Sequence, residues 1–263
     1  MKKEKLKNLL SHWPANTIAV SPWLLDRGIS PQLVKRYLEN GWIQALAHGA
    51  YIKKGDHFNW QSGIYALQEG LNLKIHVGGL TALDILGESH FISQAKFHLH
   101  LFNSGAFYLR RLLPKWLSSA LKQECLIHYH RTVLFKVEQG LQDYDCGNFK
   151  ILISSRERAL LEILSLVPKK MSFDHVVLLF QGKSTLRVDV LQTLLEASSS
   201  QQTNRLFLYL AKHYNYPFLA ELNLKTISLG KGKRIIGEGS VFDDTLNLYV
   251  PKINNSKDQM LGI

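Results

Sequence analysis

The alternation of apolar and polar positions opens with helical periods. Leu6, Leu9 and Leu10 recur at three-to-four spacing, with Lys5, Lys7 and Asn8 on the other side, which predicts an amphipathic helix over residues 4–12. Ser21-Pro22 and Ser30-Pro31 then repeat one start signal, an N-cap hydroxyl followed by proline at the first helical position. The first opens a short helix that stops at Gly28. The second opens a helix over residues 30–40, closed where Gly41 after Asn40 supplies a left-handed cap. On a helical wheel Leu33, Val34, Tyr37 and Leu38 share one face, while Gln32, Lys35, Arg36 and Glu39 share the other. Trp42–Ala47 and Ala50–Lys53 read as strands, with His48-Gly49 as the tight turn between them. The pattern is three helices and a two-stranded wing.

Further along, "WQSGIYALQEGL" (residues 60–71) predicts a helix, a short strand follows to His76, and "VGGLTALDILG" predicts another helix stopped by Gly87. After "FISQ" the period changes: "KFHLHLF" and "CLIHYHRTVLF" are strand candidates separated by "YLRRLLPKWLSSALKQE". That change places a domain boundary near residue 95. From Gly147 a strand "FKILIS" leads into Ser154 and Glu157, at capping-box spacing ahead of the helix "RALLEILSLV". Helices at "SFDHVVLLFQG", "RVDVLQTLLEA" and "NRLFLYLAKHY" follow, then a strand pair, "KTISLGKGKRIIG" and "TLNLYVP". The expected fold class is α+β: a winged helix-turn-helix domain over residues 1–95, a mixed α/β C-terminal domain over 96–252, and a flexible tail over 253–263.

Composition sharpens this picture. With 263 residues and 46% hydrophobic composition the chain can bury a core and supply two modest domains. Its net charge of +11 points to a polyanionic partner, most simply nucleic acid. Residues 1–95 carry 10 Lys and Arg against 7 Asp and Glu, a balance of +3, and the remainder carries 22 against 14, or +8. The rear is the more basic half, which a DNA-reading head on an inert body does not explain. Lysines thread the leucines of "MKKEKLKNLLSHWP", unlike a secretory signal, and no run approaches a membrane span, so a cytoplasmic location without membrane contact is expected. Cys125 and Cys146 are too few for a disulfide framework and are expected to be reduced.

In helix-turn-helix proteins the second helix of the pair enters the major groove and its N-terminal residues meet base edges. Here those residues are Ser30, Gln32, Lys35 and Arg36. Gln pairs with adenine and Arg with guanine, while Lys35, Lys53 and Lys54 are suited to phosphates and His48 sits at the wing tip. The same unit also serves elsewhere as a protein-binding module. In the rear half, Gly230 and Gly232 allow close backbone approach, and Lys231, Lys233 and Arg234 supply charge for an anion site or for a solvated hairpin. Arg156 and Arg158 stand in the first turn of their helix, where the helix dipole disfavours cations, a placement that suggests a use in the same basic surface.

Other motifs are weighed and set aside. "FQGKST" (residues 180–185) ends like a phosphate-binding loop, but the pattern requires glycine where Val177 stands. His98, His100, His128 and His130 form two H-x-H pairs on candidate strands; paired in register they put four imidazoles on one sheet face. Such a set could hold a transition metal, but no carboxylate or cysteine is spaced to join them, so no metal ligand is assigned and the face reads first as a polar sheet surface. No Ser-His-Asp order, paired-carboxylate motif or nucleotide fingerprint appears in its required context. A non-enzyme without cofactor is expected.

Four segments together, "GWIQALAHGAYIKKGDHFNW", "HVGGLTAL", "SSRERALLEIL" and "SLGKGKRIIG…LYVP", resemble the AbiEi family, antitoxins of type IV toxin-antitoxin systems in abortive infection. The likeness spans nearly the whole chain. It implies an N-terminal winged helix that represses its own operon at inverted repeats in double-stranded DNA, and a C-terminal domain that carries antitoxin activity. It also implies a co-encoded nucleotidyltransferase toxin, opposed without a stable complex. By position the recognition helix falls on Ser30–Asn40, the wing on Trp42–Lys53 and the basic element on Leu229–Arg234; where family wings often carry arginine before the turn glycine, this chain has Ala47-His48. The alternative is a stand-alone winged-helix regulator with a basic effector or oligomerisation domain.

Overall fold

The computed structural model describes residues 2–88, 96–103, 112–238 and 240–253, with the side chains of residues 2 and 3 left out; the tail expected over 253–263 lies outside them apart from its first residue. The chain is a mixed α+β protein that divides into two compact units, neither of them one continuous segment. The first takes Met1–Thr81, His90–Val133 and Leu141–Ser154; the second takes Ala82–Ser89, Leu134–Gly140 and Ser155–Ile263.

The first unit opens with α1 (Lys2–His12), β1 (Ala19–Val20), α2 (Ser21–Asp26) and α3 (Pro31–Glu39), then β2 (Ile43–Ala47) and β3 (Ala50–Lys53). β3 is the middle strand of an antiparallel sheet of order β1-β3-β2. Trp13, Trp23, Leu24, Val34, Tyr37 and Ile52 fill the space between helices and sheet, as the apolar periods require. Local chemistry punctuates each element. The Ser30 hydroxyl accepts from the Leu33 amide at 3.4 Å, and Gly41 takes φ +66°, so α3 is capped at both ends by the residues that announce it.

The unit continues through α4 (Trp60–Tyr65), a π-helical turn (Ala66–Gly70), β4 (Ile75–Val77) and α5 (Gly79–Ile85), whose end passes into the second unit, and then β5 (Phe97–Asn103), α6 (Lys115–Leu121), β6 (Cys125–His130), β7 (Leu141–Asp145) and β8 (Lys150–Ser154). These strands form one sheet of order β6-β5-β4-β8-β7, which takes β4 from before residue 95 and the others from after it. β4 and β8 share a single ladder pair, Val77 with Ile153. The join is completed by a side chain: Gln68 Nε2 donates to the carbonyls of Ile75 (2.9 Å) and Leu152 (3.1 Å), and its Oε1 accepts from the Leu152 amide at 2.9 Å. The carboxamide of Gln68, carried on the π-helical turn, stands in for a peptide group.

β7 is absent from the sequence expectation. It is an edge strand, "LQDYD", with no fully buried position, so it lacks the apolar alternation that marks the others. Cys125 and Cys146 are both free.

The second unit is built on α7 (Arg156–Leu164), which packs against α9 (Val188–Ala197) and α10 (Gln201–His213); α8 (Phe173–Phe180) completes the helices. Every residue of α7 after Arg156 is buried, so this helix is the core and not an amphipathic cover. Its N-cap is Ser155; the capping box expected between Ser154 and Glu157 is replaced by a bond from the Ser155 hydroxyl to the Glu157 carboxylate at 2.8 Å. The final strand pair also differs from expectation. β9 keeps only Arg234–Ile235 and runs parallel to β11 (Leu248–Val250), with β10 (Val241–Asp243) antiparallel on the other side of β11. Residues 226–233 are not strand; the carbonyls of Ser228, Leu229, Gly230 and Gly232 accept instead from side chains of α10, as described below.

Candidate functional site

The exposed face of α3 gathers the charges that the helical period assigns to it. Gln32, Lys35, Arg36 and Glu39 are exposed, whereas Val34 and Tyr37 are buried. Lys35 lies 3.9 Å from Glu39, an exposed pair of small energetic weight. The ring of Tyr37 tilts against Trp42 at 5.5 Å and so ties the end of α3 to β2. At the hairpin, His48 is exposed at the turn, and the Gly49 carbonyl accepts from the Ser21 amide at 3.0 Å, which fixes the hairpin to the start of α2.

Lys53 and Lys54 part company. Lys54 is exposed, but Lys53 Nζ donates to the Trp13 carbonyl at 2.9 Å and lies 3.8 Å from Asp56. Its ammonium holds the chain after α1 to the base of the hairpin.

In the second unit the five expected basic residues fall into three settings. Lys231, Lys233 and Arg234 are exposed on the loop before and into β9, with the Lys233 ammonium over the rings of Phe242 (5.2 Å) and Tyr249 (5.9 Å). The loop is shaped from beneath by two adjacent residues of α10 that the sequence reading passes over. Asn204 Nδ2 donates to Ser228 O at 3.0 Å. Arg205, 1% exposed, donates to the carbonyls of Leu229 (2.7 Å), Gly230 (3.1 Å), Gly232 (2.7 Å) and Asn247 (2.9 Å). Gly230 suits this turn because its φ of +67° is one that side-chain-bearing residues rarely adopt; a Cβ there would also displace the Gln201 carboxamide. Burial and the Arg234 charge both pull the Arg205 guanidinium below its usual pKa, as a cation held among cations should be.

Arg156 belongs to a different cluster, bonded to Glu88 and, through Nη1, to the Thr185 carbonyl at 2.9 Å. Glu88 also accepts from Lys183 Nζ at 2.7 Å. Lys183 is the lysine of the "FQGKST" segment, so that segment's resemblance to a phosphate loop ends in a buried ion pair. Arg158 corrects the sequence expectation of a surface role. It is 1% exposed, pairs with Glu162 at 3.2 Å, donates to the Val137 and Gln139 carbonyls at 2.9 and 2.8 Å, and stacks over Phe135. It braces the core and faces no ligand.

Beside it, burial by itself raises the Glu157 pKa, but bonds from Arg187 and from the Ser155 hydroxyl outweigh that cost and hold it at about 2. A carboxyl held below its unfolded value stabilises the fold fully above the unfolded pKa and loses that stabilisation as pH falls toward the folded one. Denaturant unfolding measured from pH 5 to pH 2 is therefore expected to lose about 3 kcal/mol through this group, and Glu157→Gln to flatten that part of the profile. An unchanged acid slope in Glu157→Gln would remove the assignment.

The histidines do come together. β5 and β6 run parallel with His100 opposite His128, and all four H-x-H imidazoles lie on one face. The rings alternate between strands: His98 to His128 at 4.9 Å, His128 to His100 at 4.7 Å, His100 to His130 at 5.4 Å. Phe102 continues the stack on His130 at 4.5 Å. The Thr81 hydroxyl locks β5 beneath them, donating to the His98 carbonyl and accepting from the His100 amide, both at 2.8 Å. Burial first, then the neighbouring imidazoles, push His100 down to about 3, so that ring is neutral at pH 7.

An exposed basic helix is thus followed by a short hairpin, in a mixed α+β chain that also carries a separate basic loop. Two family models match, one described as "Transcriptional regulator, AbiEi antitoxin N-terminal domain" over residues 2–94 and one as "Transcriptional regulator, AbiEi antitoxin, Type IV TA system" over residues 100–251. The chain belongs to this AbiEi family of type IV toxin-antitoxin transcriptional regulators. No curated protein matches it. Among solved structures it is similar to the Rv2827c protein from Mycobacterium tuberculosis, at 14% identity with a TM-score of 0.58, covering 95% of this chain and 91% of that one. That likeness concerns the fold alone. Among the described residues no helix is long and apolar enough to cross a membrane.

Proposed function

We propose that this protein is a type IV antitoxin that represses its own operon through an N-terminal winged helix-turn-helix and counters a co-encoded nucleotidyltransferase toxin through its C-terminal region. The observation that carries the reading is the sorting of α3, which buries Val34 and Tyr37 and presents Gln32, Lys35 and Arg36 beside a hairpin, in a chain of a transcriptional-regulator family. In this reading α3 lies in the major groove of an inverted-repeat operator. Gln32 reads adenine, Arg36 reads guanine, Ser30 caps the helix at the groove, and Lys35, Lys54 and the wing tip at His48 meet the backbone. DNA recognition belongs to residues 1–95 and neutralisation to 96–252, as divisions of function. The loop Lys231–Arg234, shaped by Arg205, is the anion-seeking part of the second region, with Arg156 on a separate patch.

The test uses the full-length chain. Arg36→Ala is expected to weaken binding to the upstream DNA by about 1–3 kcal/mol, with little change on random DNA, and to leave rescue of cells expressing the neighbouring gene intact. Equal loss on both DNAs would remove the base-reading role. If full-length protein rescues nothing, the antitoxin reading falls and the repressor reading stands alone.

A further inference from the structure

We infer that the histidine face of β5 and β6 is a binding site for a divalent transition ion, Zn2+ foremost, held by His98, His100 and His128. One ring nitrogen from each of these residues lies within 4.8 Å of the others. His128 Nε2 and His98 Nδ1 are 3.2 Å apart. Zinc bonds imidazole nitrogen at about 2.0–2.1 Å in a tetrahedron, which sets neighbouring nitrogens about 3.4 Å apart, so this pair already has the bite of a metal site; the His100 ring, stacked on His128 at 4.7 Å, has to turn out of that stack to bring its nitrogen onto the same ion.

The chemistry of the donor set agrees. Three imidazoles without thiolate or carboxylate suit zinc, copper, nickel or iron over calcium and magnesium, and leave a fourth position for water. His98 is exposed and His128 partly so, which gives an ion a way in, while His100 is buried and fixed by Thr81. His130 lies outside the group of three, its Nε2 3.1 Å from Nδ1 of His100, in the place that outer partners of metal-bound imidazoles take. β6 is an edge strand, so an ion here clamps the edge of the five-stranded sheet to its neighbour. None of the three histidines is among the side chains proposed for DNA or anion contact.

The experiment is a Co2+ and Zn2+ titration of full-length protein freed of metal with a chelator. Wild type is expected to take up one Co2+ with the visible absorption of a tetrahedral ion, to release it to Zn2+, and to melt at higher temperature with zinc present. His98→Gln and His128→Gln are each expected to weaken Zn2+ binding about tenfold or more and to lose the rise in melting temperature, while His57→Gln changes neither. Circular dichroism confirms that each variant is folded. Should His128→Gln fail that check, His98→Gln, at the exposed end of the stack, decides. Absence of stoichiometric binding, or equal affinity in wild type and His98→Gln, overturns the proposal.

Discussion

A chain beginning at residue 96 is expected to fail as a folded protein, even though the two family models meet between residues 94 and 100. The cut removes β4, which lies between β5 and β8 in the middle of the five-stranded sheet. Ile75 and Val77 are 2% and 0% exposed, and burying such side chains is worth about 1.5–3 kcal/mol each. The cut also strips β5 of its antiparallel partner, removes the Gln68 carboxamide from β8, and bares two strand edges. Against a total stability of about 5–15 kcal/mol for an ordinary domain, these losses together are decisive. Gel filtration and denaturant unfolding check the point: residues 96–263 should aggregate or unfold without cooperativity. A soluble fragment with a sharp transition would show that the sheet re-forms without β4. The neutralisation proposed for the C-terminal region is consequently best measured in full-length variants.

The second large effect is expected at Arg205. Arg205→Met keeps most of the volume but removes the donors that serve Leu229, Gly230, Gly232 and Asn247. An acceptor left without its donor costs about 1–3 kcal/mol when buried, and water reaches part of this loop, so a total loss near about 4 kcal/mol is expected and not the full sum. Arg205→Lys should recover little, because an ammonium on a flexible stem cannot reproduce the planar fork that reaches several carbonyls at once. Equilibrium unfolding of both variants provides the measurement, and a loss below about 1 kcal/mol would mean the loop holds its shape by other means. If the proposed role of Lys231, Lys233 and Arg234 is right, Arg205→Met should also impair neutralisation without touching any of the three.

What was legible in the sequence was local. The caps at Ser30 and Gly41, the wheel of α3 and the turn at His48-Gly49 depend on residues a few positions apart, and they stand as read. What was illegible involves distant partners. α7 looks amphipathic because it contains Arg158 and Glu162, yet both are buried, since charged residues that satisfy each other and backbone carbonyls can enter a core. The glycine-rich strand before β9 dissolved into a loop because Arg205, more than twenty residues earlier, claims its carbonyls. β7 gave no apolar signal because an edge strand needs none. The histidine pairs were visible as motifs, but their meeting on one face follows from a parallel register that no local pattern encodes.

Gln68 shows how such features can mislead a comparison of relatives. Asparagine is too short to reach both strands, and glutamate offers no donor to the carbonyls of Ile75 and Leu152. A half-buried polar position that admits one residue type will look, in any family alignment, like a member of a binding site. Its invariance would record ladder hydrogen bonds missing from the sheet, and the same filter should be applied before any polar position of this family is credited with touching DNA or toxin.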